Sequence, residues 1–318
     1  MEFITKRTSD LTIEEKQSLV NLFNEVFDHN RSITQFEDQF FNNCEGNSFH
    51  TLVLKDGEII GSNTMVPSVY LVKGKQYRFV NSVDTMISKK CRGIENFYDM
   101  IKESFSYCEN HGCDVVYGFP NDNSYPLFKG CKFMFDVDSL YTYCLPYRIG
   151  GIKPNLRLLN WASTLFCECW LGVCKLIASS DISQFSIEKY AASYNETRYK
   201  RLDADYSHAV YMGSEFYYKI SEFEGIHVAF LIDVVKKSPK NFCSAVHYIL
   251  KEEKERFDII LYVGYLPFDI SGLVKLPHKY EPKSFNFTTG ILNKKVFKKE
   301  DLQDIRKWDI NLSNYDLI

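Results

Sequence analysis

Lys89, Lys90, Arg92 and Gly93 fall together in the stretch KKCRGIENF, residues 89–97. An apolar, strand-like run precedes them and a helix-like run follows. Such a junction directs backbone N–H groups and the positive end of a helix at whatever sits above it, and phosphate is the natural ligand. Glycine lets the backbone approach, and the cations add charge. A second junction, KKSPKNF at 236–242, keeps the lysines but has no glycine, and its Pro239 lacks an N–H donor. Only the first junction reads as a phosphate cradle.

The elements that would position this loop follow from periodicity. MEFITKR reads as a strand. LTIEEKQSLVNLFNEVF carries Leu11, Leu19, Leu22, Phe23 and Val26 at near-helical spacing, with Asp10 or Thr12 as cap, and SITQFEDQFFNN reads as a second short helix. Residues 48–88 hold the turn signals Lys-Asp-Gly-Glu and Lys-Gly-Lys between β-branched runs, which predicts a three-stranded antiparallel meander. Ile94, Phe97, Ile101, Phe105 and Cys108 mark one face of a helix that Gly112 ends. DVVYGF is then a buried strand, NDNSYPLFKG a short helix or turn, and CKFMFDVDSLYTYCLP a final strand. This order predicts a three-layer α/β arrangement (α+β in the sense of a mixed sheet), with ligands favoured where neighbouring strands part.

The two junctions share a frame. VDTMISKKCRGIENF and AFLIDVVKKSPKNF each run from an apolar strand through Lys-Lys into an Asn-Phe helix start. Phe97 lies 17 positions before Asp114, and Phe242 lies 16 before Asp258. A meander-like run precedes the second junction as well. The reading is a structural duplication, with residues 1–147 as the ligand-binding copy, 148–180 as a linker helix and 181–318 as a degenerate copy on the acceptor side. Gly150-Gly151 and the prolines at 146 and 154 break periodicity at the boundary.

Bulk properties exclude other classes. Of 318 residues, 45% are apolar and 25% charged, which is ordinary for a globular protein, and the length suits two domains. A net charge of −3 without basic blocks argues against nucleic acid. The ten cysteines show no zinc-type spacing (Cys167 and Cys169 form C-x-C), and MEFITKRTSDLTIEEK lacks a signal-peptide core. Reduced thiols, no metal and a cytoplasmic location are expected. Residues 155–179 are apolar but interrupted by Arg157, Glu168 and Lys175, which makes a poor membrane span. A packed linker helix is the plainer reading there, and a helix lying on a membrane surface the runner-up.

The order of elements in 1–145 resembles the GNAT-type N-acetyltransferase fold, and the whole chain is similar to its tandem, two-domain form, including acyltransferases found with bacterial polysaccharide biosynthesis. That family's loop carries Arg/Gln-x-x-Gly-x-Gly/Ala against the pyrophosphate of acetyl-CoA. Arg92 and Gly93 fit an Arg-Gly start, Ile94 and Asn96 fill variable positions, and Glu95 and Phe97 stand where small residues are usual. PNDNSYPLFKGCKF matches a second landmark, with Asn121 as the Asn after the fifth strand and Gly130 before Cys131.

The resemblance implies an acyl-CoA-dependent N-acyltransferase acting on an amine, such as an amino sugar or sugar nucleotide. In that scheme the backbone of Thr85, Met86, Ile87 and Ser88 holds the thioester and pantetheine arm. Lys90, Arg92, Gly93, Ile94, Glu95, Asn96 and Phe97 form the pyrophosphate loop, with Asn121 nearby. Asp84 could act as general base, directly or through water, against the plainer reading of a strand-edge carboxylate in solvent. Tyr125 would protonate the leaving thiolate, unless Phe128 occupies that position. YNETRYKRLDADY (194–206, with Asp203 and Asp205) and SEFYYK (214–219) are candidates for lining an acceptor cleft. Two competing readings stand beside this one: a GNAT-fold binding module that no longer binds CoA, which Glu95 and Phe97 favour, and a Fem-like aminoacyl transferase.

Overall fold

Thr12 and Ser32 each open a helix by the same device. Thr12 Oγ1 accepts from the Glu15 N–H at 3.2 Å while the Glu15 carboxylate accepts from the Thr12 N–H at 3.0 Å, and Ser32 and Gln35 repeat the exchange. Thr12, not Asp10, is therefore the cap. In the computed structural model, which describes residues 1–91, 93–189, 206–281 and 283–315, the chain begins with β1 (Glu2–Arg7), α1 (Ile13–Phe27), α2 (Ile33–Phe41), β2 (Phe49–Lys55), β3 (Glu58–Val72), β4 (Lys75–Ile87), α3 (Ile94–Asn110), β5 (Val115–Gly118), α4 (Tyr125–Cys131) and β6 (Phe135–Ser139). It continues with β7 (Tyr141–Pro146), α5 (Ile149–Ile152), α6 (Asn160–Ile177), β8 (Ile187–Lys189), β9 (Ser207–Tyr211), β10 (Ser214–Phe223), β11 (Ile226–Val234), α7 (Pro239–Glu252), β12 (Ile259–Gly264), β13 (Val274–Lys275), β14 (Asn286–Ile291) and α8 (Lys299–Leu302).

Two compact units result, each with one mixed sheet. The first has strand order β1-β2-β3-β4-β5-β14-β6, with β8 added beside β3. Its meander is antiparallel, and the crossover through α3 brings β5 parallel to β4. One sheet face packs against α1 and α2 through Leu19, Phe23, Phe36, Phe40, Leu52 and Met86. Another core cluster joins α3 to Phe49, Val53, Val80 and Val116 of the strands, completing three layers. The second unit has order β13-β7-β12-β11-β10-β9, and α7 brings β12 parallel to β11. Phe242, Val246 and Ile249 of α7 share its core with Phe216, Leu231 and Ile260 of the sheet. Each unit thus contains the antiparallel pair, crossover helix and parallel strand that the two junctions predict.

The chain does not divide where a single cut at 147 would place it. The run read as one strand, CKFMFDVDSLYTYCLP, splits at Leu140: β6 pairs with β14 in the first sheet, and β7 pairs with β12 in the second. Reciprocally, β14 lies antiparallel to β5. Each sheet therefore completes itself with a strand from the other half of the sequence. Gly290 makes one insertion fit, since a Cβ there would lie 2.6 Å from the Phe133 carbonyl oxygen. Residues 148–180 are not a bare linker either. Cys167, Leu171 and Cys174 of α6 belong to the second unit's core, because one stripe of that helix is apolar and faces α7.

Candidate active site

The candidate site begins with a fault in β4. Ser62 pairs with Met86 and Thr64 with Val83, so Asn63 alone faces both Asp84 and Thr85. This is a β-bulge, and Asp84 takes a left-handed backbone conformation in it (φ +47°). Asn63 is fully buried and staples the bulge. Its Oδ1 accepts from Ser82 Oγ at 2.9 Å and Thr85 Oγ1 at 2.8 Å, and its Nδ2 donates to Ser104 Oγ of α3 at 3.0 Å.

The bulge parts two strands. The β4–β5 ladder ends with Ser82 opposite Gly118, while β4 runs on to Ile87. Beyond Ser82 the edge of β4 on that side has no strand partner among the described residues. The Ser88 N–H turns the other way and donates to the Ile60 carbonyl at 2.8 Å. By the alternation of a ladder, the Ile87 N–H and C=O face the opened edge. Of the four residues expected to hold a thioester arm, Ile87 has its backbone so aimed. The Ser88 amide is committed, the Met86 side chain is buried against α1 and α2, and Thr85 serves the bulge.

α3 starts immediately beyond. Gly93 caps it in an extended conformation, without a side-chain cap. Among the described residues, nothing accepts from the N–H groups of Ile94, Glu95 or Asn96, while the Phe97 N–H bonds the Gly93 carbonyl at 3.2 Å. Three donors are thus presented at the positive end of a 17-residue helix. Asn96 Nδ2 closes the preceding turn on the Cys91 carbonyl at 3.1 Å. Ile94 and Glu95 are exposed. Phe97 departs from the expectation of a loop residue: it is 4% exposed and packs edge-on against Phe128 of α4, with ring centroids 5.1 Å apart. Arg92 and the side chain of Lys90 lie outside the described residues.

That ring contact sets α4 beside the first turn of α3. Asn121 starts α4. Its Oδ1 accepts from the N–H groups of Asn123 and Ser124 at 3.1 and 3.0 Å, and its carbonyl accepts from the Tyr125 N–H at 2.8 Å. Its side-chain oxygen is thereby committed to the turn that leads into α4, and its carbonyl to the Tyr125 backbone. Tyr125 is partly exposed, and burial, then a hydrogen bond to Asp136 and that carboxylate's charge, raise its pKa above the ordinary tyrosine value. It stays protonated at neutral pH. Phe128, in the core, has no proton to give.

Asp84 is not a carboxylate in solvent. Arg31, from the turn between α1 and α2, reaches Asp84 Oδ2 with one guanidinium nitrogen and Oδ1 with the other at 3.4 Å, and both side chains are buried. The guanidinium carbon lies 3.3 Å from the centroid of the Phe23 ring. Arg31 and Asn63 were not legible as site residues: an arginine between helices and an asparagine in a strand carry no local signal.

The second junction shows what a closed version looks like. At the start of α7 the Ser238 Oγ accepts from the Asn241 N–H at 3.2 Å, the Lys240 N–H donates to the Ser179 carbonyl at 3.0 Å, and Pro239 has no N–H. Lys237 is buried between Asp233 at 2.7 Å and Asp309 at 2.6 Å. Donors and cation are consumed internally. Phe216, Tyr217 and Tyr218 of the SEFYYK run are buried in packing, so they do not line a cleft, and 194–205 lie outside the described residues.

Residues 7–132 match the acetyltransferase (GNAT) domain family. No curated protein matches the sequence. Among solved structures, a conserved protein of unknown function from Enterococcus faecalis V583 superimposes with a TM-score of 0.59 at 12% identity, covering 92% of this chain and 73% of that one. A GCN5-related N-acetyltransferase from Anabaena variabilis gives 0.59 at 11% identity, over 91% and 73% of the two chains. Eis1 from Mycobacterium abscessus gives 0.56 at 12%, over 92% and 74%. At such identities these structures speak to fold, while the family match speaks to the N-terminal segment. The family likeness is that of residues 7–132 to the GNAT acetyltransferase domain, and the likeness of fold extends over 92% of the chain.

Proposed function

We propose that the protein is an N-acyltransferase that takes its acyl group from acetyl-CoA or another acyl-CoA and passes it to a primary amine. The observation that carries this reading is the opened edge of β4 leading to the three N–H groups of α3 that no described residue claims. Those amides, with Lys90, Arg92 and the backbone of Gly93, would hold the pyrophosphate, and the Ile87 backbone would align the thioester arm. Bound there, acyl-CoA would supply an activated acyl carbonyl. Tyr125 holds a proton at Oη that a departing thiolate needs, the proton the amine sheds on becoming an amide replaces it through solvent, and the Asn121 carbonyl holds the Tyr125 N–H at the start of α4. Asp84, with both oxygens engaged by Arg31, acts by fixing the bulge. An amino sugar or sugar nucleotide in the cytoplasm is the acceptor class to test first.

Thermal shift with acetyl-CoA and desulfo-CoA tests binding. A ligand at 100 times its Kd should add about 2.7 kcal/mol of stability. No shift at millimolar concentration would sink the proposal. A second reading, a GNAT-fold binding module that no longer binds CoA, is favoured by one observation: Glu95 places a carboxylate in the first turn of α3. A folded protein that shows no shift with acetyl-CoA or desulfo-CoA, and no CoA release across a panel of amines, amino sugars included, would decide for it.

A further inference from the structure

Among the described residues, exposed large apolar side chains gather on the outward face of α6. Its inward stripe, Cys167, Leu171 and Cys174, is buried in the second unit's core. On the other side Ala162, Leu165, Cys169, Gly172 and Leu176 recur at intervals of three, four, three and four, which is the a/d spacing of a coiled-coil seam. Leu165 is 54% and Leu176 87% exposed, and Cys169 and Gly172 are exposed too. A helix whose inward stripe lies outside its heptad seam has two apolar faces, of which the fold of the described residues covers one.

The edges of the seam say what covers it. On one edge Glu168 and Lys175 stand seven residues apart, both at g positions. On the other, Phe166 and Val173 occupy e positions, at 58% and 52% exposure. In an antiparallel pair of helices a positions meet d positions, and g faces g while e faces e. Pairing Cys169 with Gly172, and Leu165 with Leu176, puts Glu168 of each helix opposite Lys175 of the other. The same pairing puts Phe166 opposite Val173. A parallel pair would set Glu168 against an apolar e position instead. The seam is thus complementary to itself about a two-fold axis near residues 170 and 171, where Cys169 and Gly172 give the least bulk. Both charged side chains are already oriented: Tyr147 Oη donates to Glu168 at 3.2 Å, and Lys175 Nζ lies 2.8 Å from His247 Nδ1. Burial, then the charge of Lys175, lowers the His247 pKa, so His247 is neutral and accepts from the lysine.

We propose that α6 is a homodimerisation surface, on which a second copy of this chain seats its own α6 antiparallel. This occupant satisfies both the apolar seam and the charged edge. A lipid surface would bury the seam but leave the opposed charges unused. The charges also predict isologous closure, since each copy offers the same patch. One helix pair is small for a stable interface, so the dimer should dissociate with dilution in the micromolar range.

Sedimentation velocity on the full chain tests this through charge reversal. Glu168→Lys and Lys175→Glu alone should each weaken dimerisation by about tenfold or more, because two symmetry-related pairs become repulsive. The double variant Glu168→Lys/Lys175→Glu should restore it. These side chains are exposed, so circular dichroism should show all three folded. Mild oxidation should also trap a dimer through Cys169 that Cys169→Ser abolishes. A wild-type chain that stays monomeric at high micromolar concentration overturns the proposal. So does a dimer indifferent to both reversals, a double variant that is not rescued, or a monomer that pellets with phosphatidylserine vesicles through Leu165.

Discussion

Arg31 grips Asp84 where the backbone of β4 turns left-handed. The pair joins the turn between α1 and α2 to the bulge that opens the β4 edge, and Phe23 roofs the guanidinium. Breaking a buried pair from one side leaves an uncompensated charge, which costs about 3–5 kcal/mol, whereas removing both partners is far milder. Arg31→Met and Asp84→Asn should each lower the urea midpoint, and Arg31→Met/Asp84→Asn should recover most of the loss. A coupling energy below about 0.5 kcal/mol in that cycle would mean the pair is incidental.

His50 predicts an acid limit to stability. It is fully buried between Thr8 Oγ1 at 2.9 Å and Thr64 Oγ1 at 3.0 Å, among the rings of Phe36 and Phe40. Burial, then the charge of Lys16, lowers its pKa from 6.5 to about 3. The neutral ring is the folded form, so the unfolded chain binds the extra proton. The contribution is complete above pH 6.5 and is lost progressively as pH falls toward 3, at about 1.4 kcal/mol per pH unit. Denaturation midpoints between pH 7 and 4 should fall on that slope, and less steeply in His50→Gln. Equal slopes in the two proteins would refute the assignment.

The helices and the two junctions were legible because their signals are local: Thr12 and Glu15 lie three residues apart, and Phe97, Ile101 and Phe105 trace one helix face. The exchanged strands were not. Nothing near Tyr141–Pro146 tells that strand to pair with Ile259–Gly264, because the choice is made by hydrogen-bonding edges more than a hundred residues away. In the site, Gly93 and the helix start could be read from residue types. The bulge could not, since Asn63 acts through partners at 82, 85 and 104. Phe97 departs from the motif's expectation for a related reason: a motif counts positions, whereas the helical phase decides which side chain faces the core.

Tyr125 and Asp136 predict a pH signature. If Tyr125 protonates the leaving thiolate, Tyr125→Phe should lower kcat by roughly a hundredfold with little change in KM. Asp136 raises the Tyr125 pKa by hydrogen bond and charge, so Asp136→Asn should let it fall. The basic limb of the kcat profile should then move to lower pH. A limb that stays put in Asp136→Asn, or a Tyr125→Phe enzyme of normal kcat, removes Tyr125 from the chemistry.

Glu95 and Phe97 separate affinity from stability. Glu95 is exposed in the first turn of α3, so its charge opposes a pyrophosphate without supporting the core. Glu95→Gln should tighten acyl-CoA binding severalfold, more at low salt than at high. Phe97→Ala should instead cost about 3–5 kcal/mol of stability, the usual loss for a buried aromatic ring. Titration calorimetry and denaturation on both variants check this, and the reverse assignment of effects would restore Phe97 to the loop.

Lys237 and Arg92 should behave as opposites, although their junctions share a frame. Lys237 neutralises Asp233 and Asp309 in the second unit, and Asn311 Nδ2 adds a bond to Asp233 at 2.7 Å. Lys237→Met leaves two buried carboxylates facing each other and should destabilise the fold by about 3–5 kcal/mol. Its acetyl-CoA affinity, measured below the unfolding transition, should match the wild type. Arg92→Glu should leave the melting temperature of the free protein near wild type and abolish the thermal shift with acetyl-CoA. The two substitutions thus ask the same question of the two copies. If Lys237→Met loses CoA while Arg92→Glu keeps it, the binding loop lies at the second junction, and the first-turn amides of α3 have another purpose.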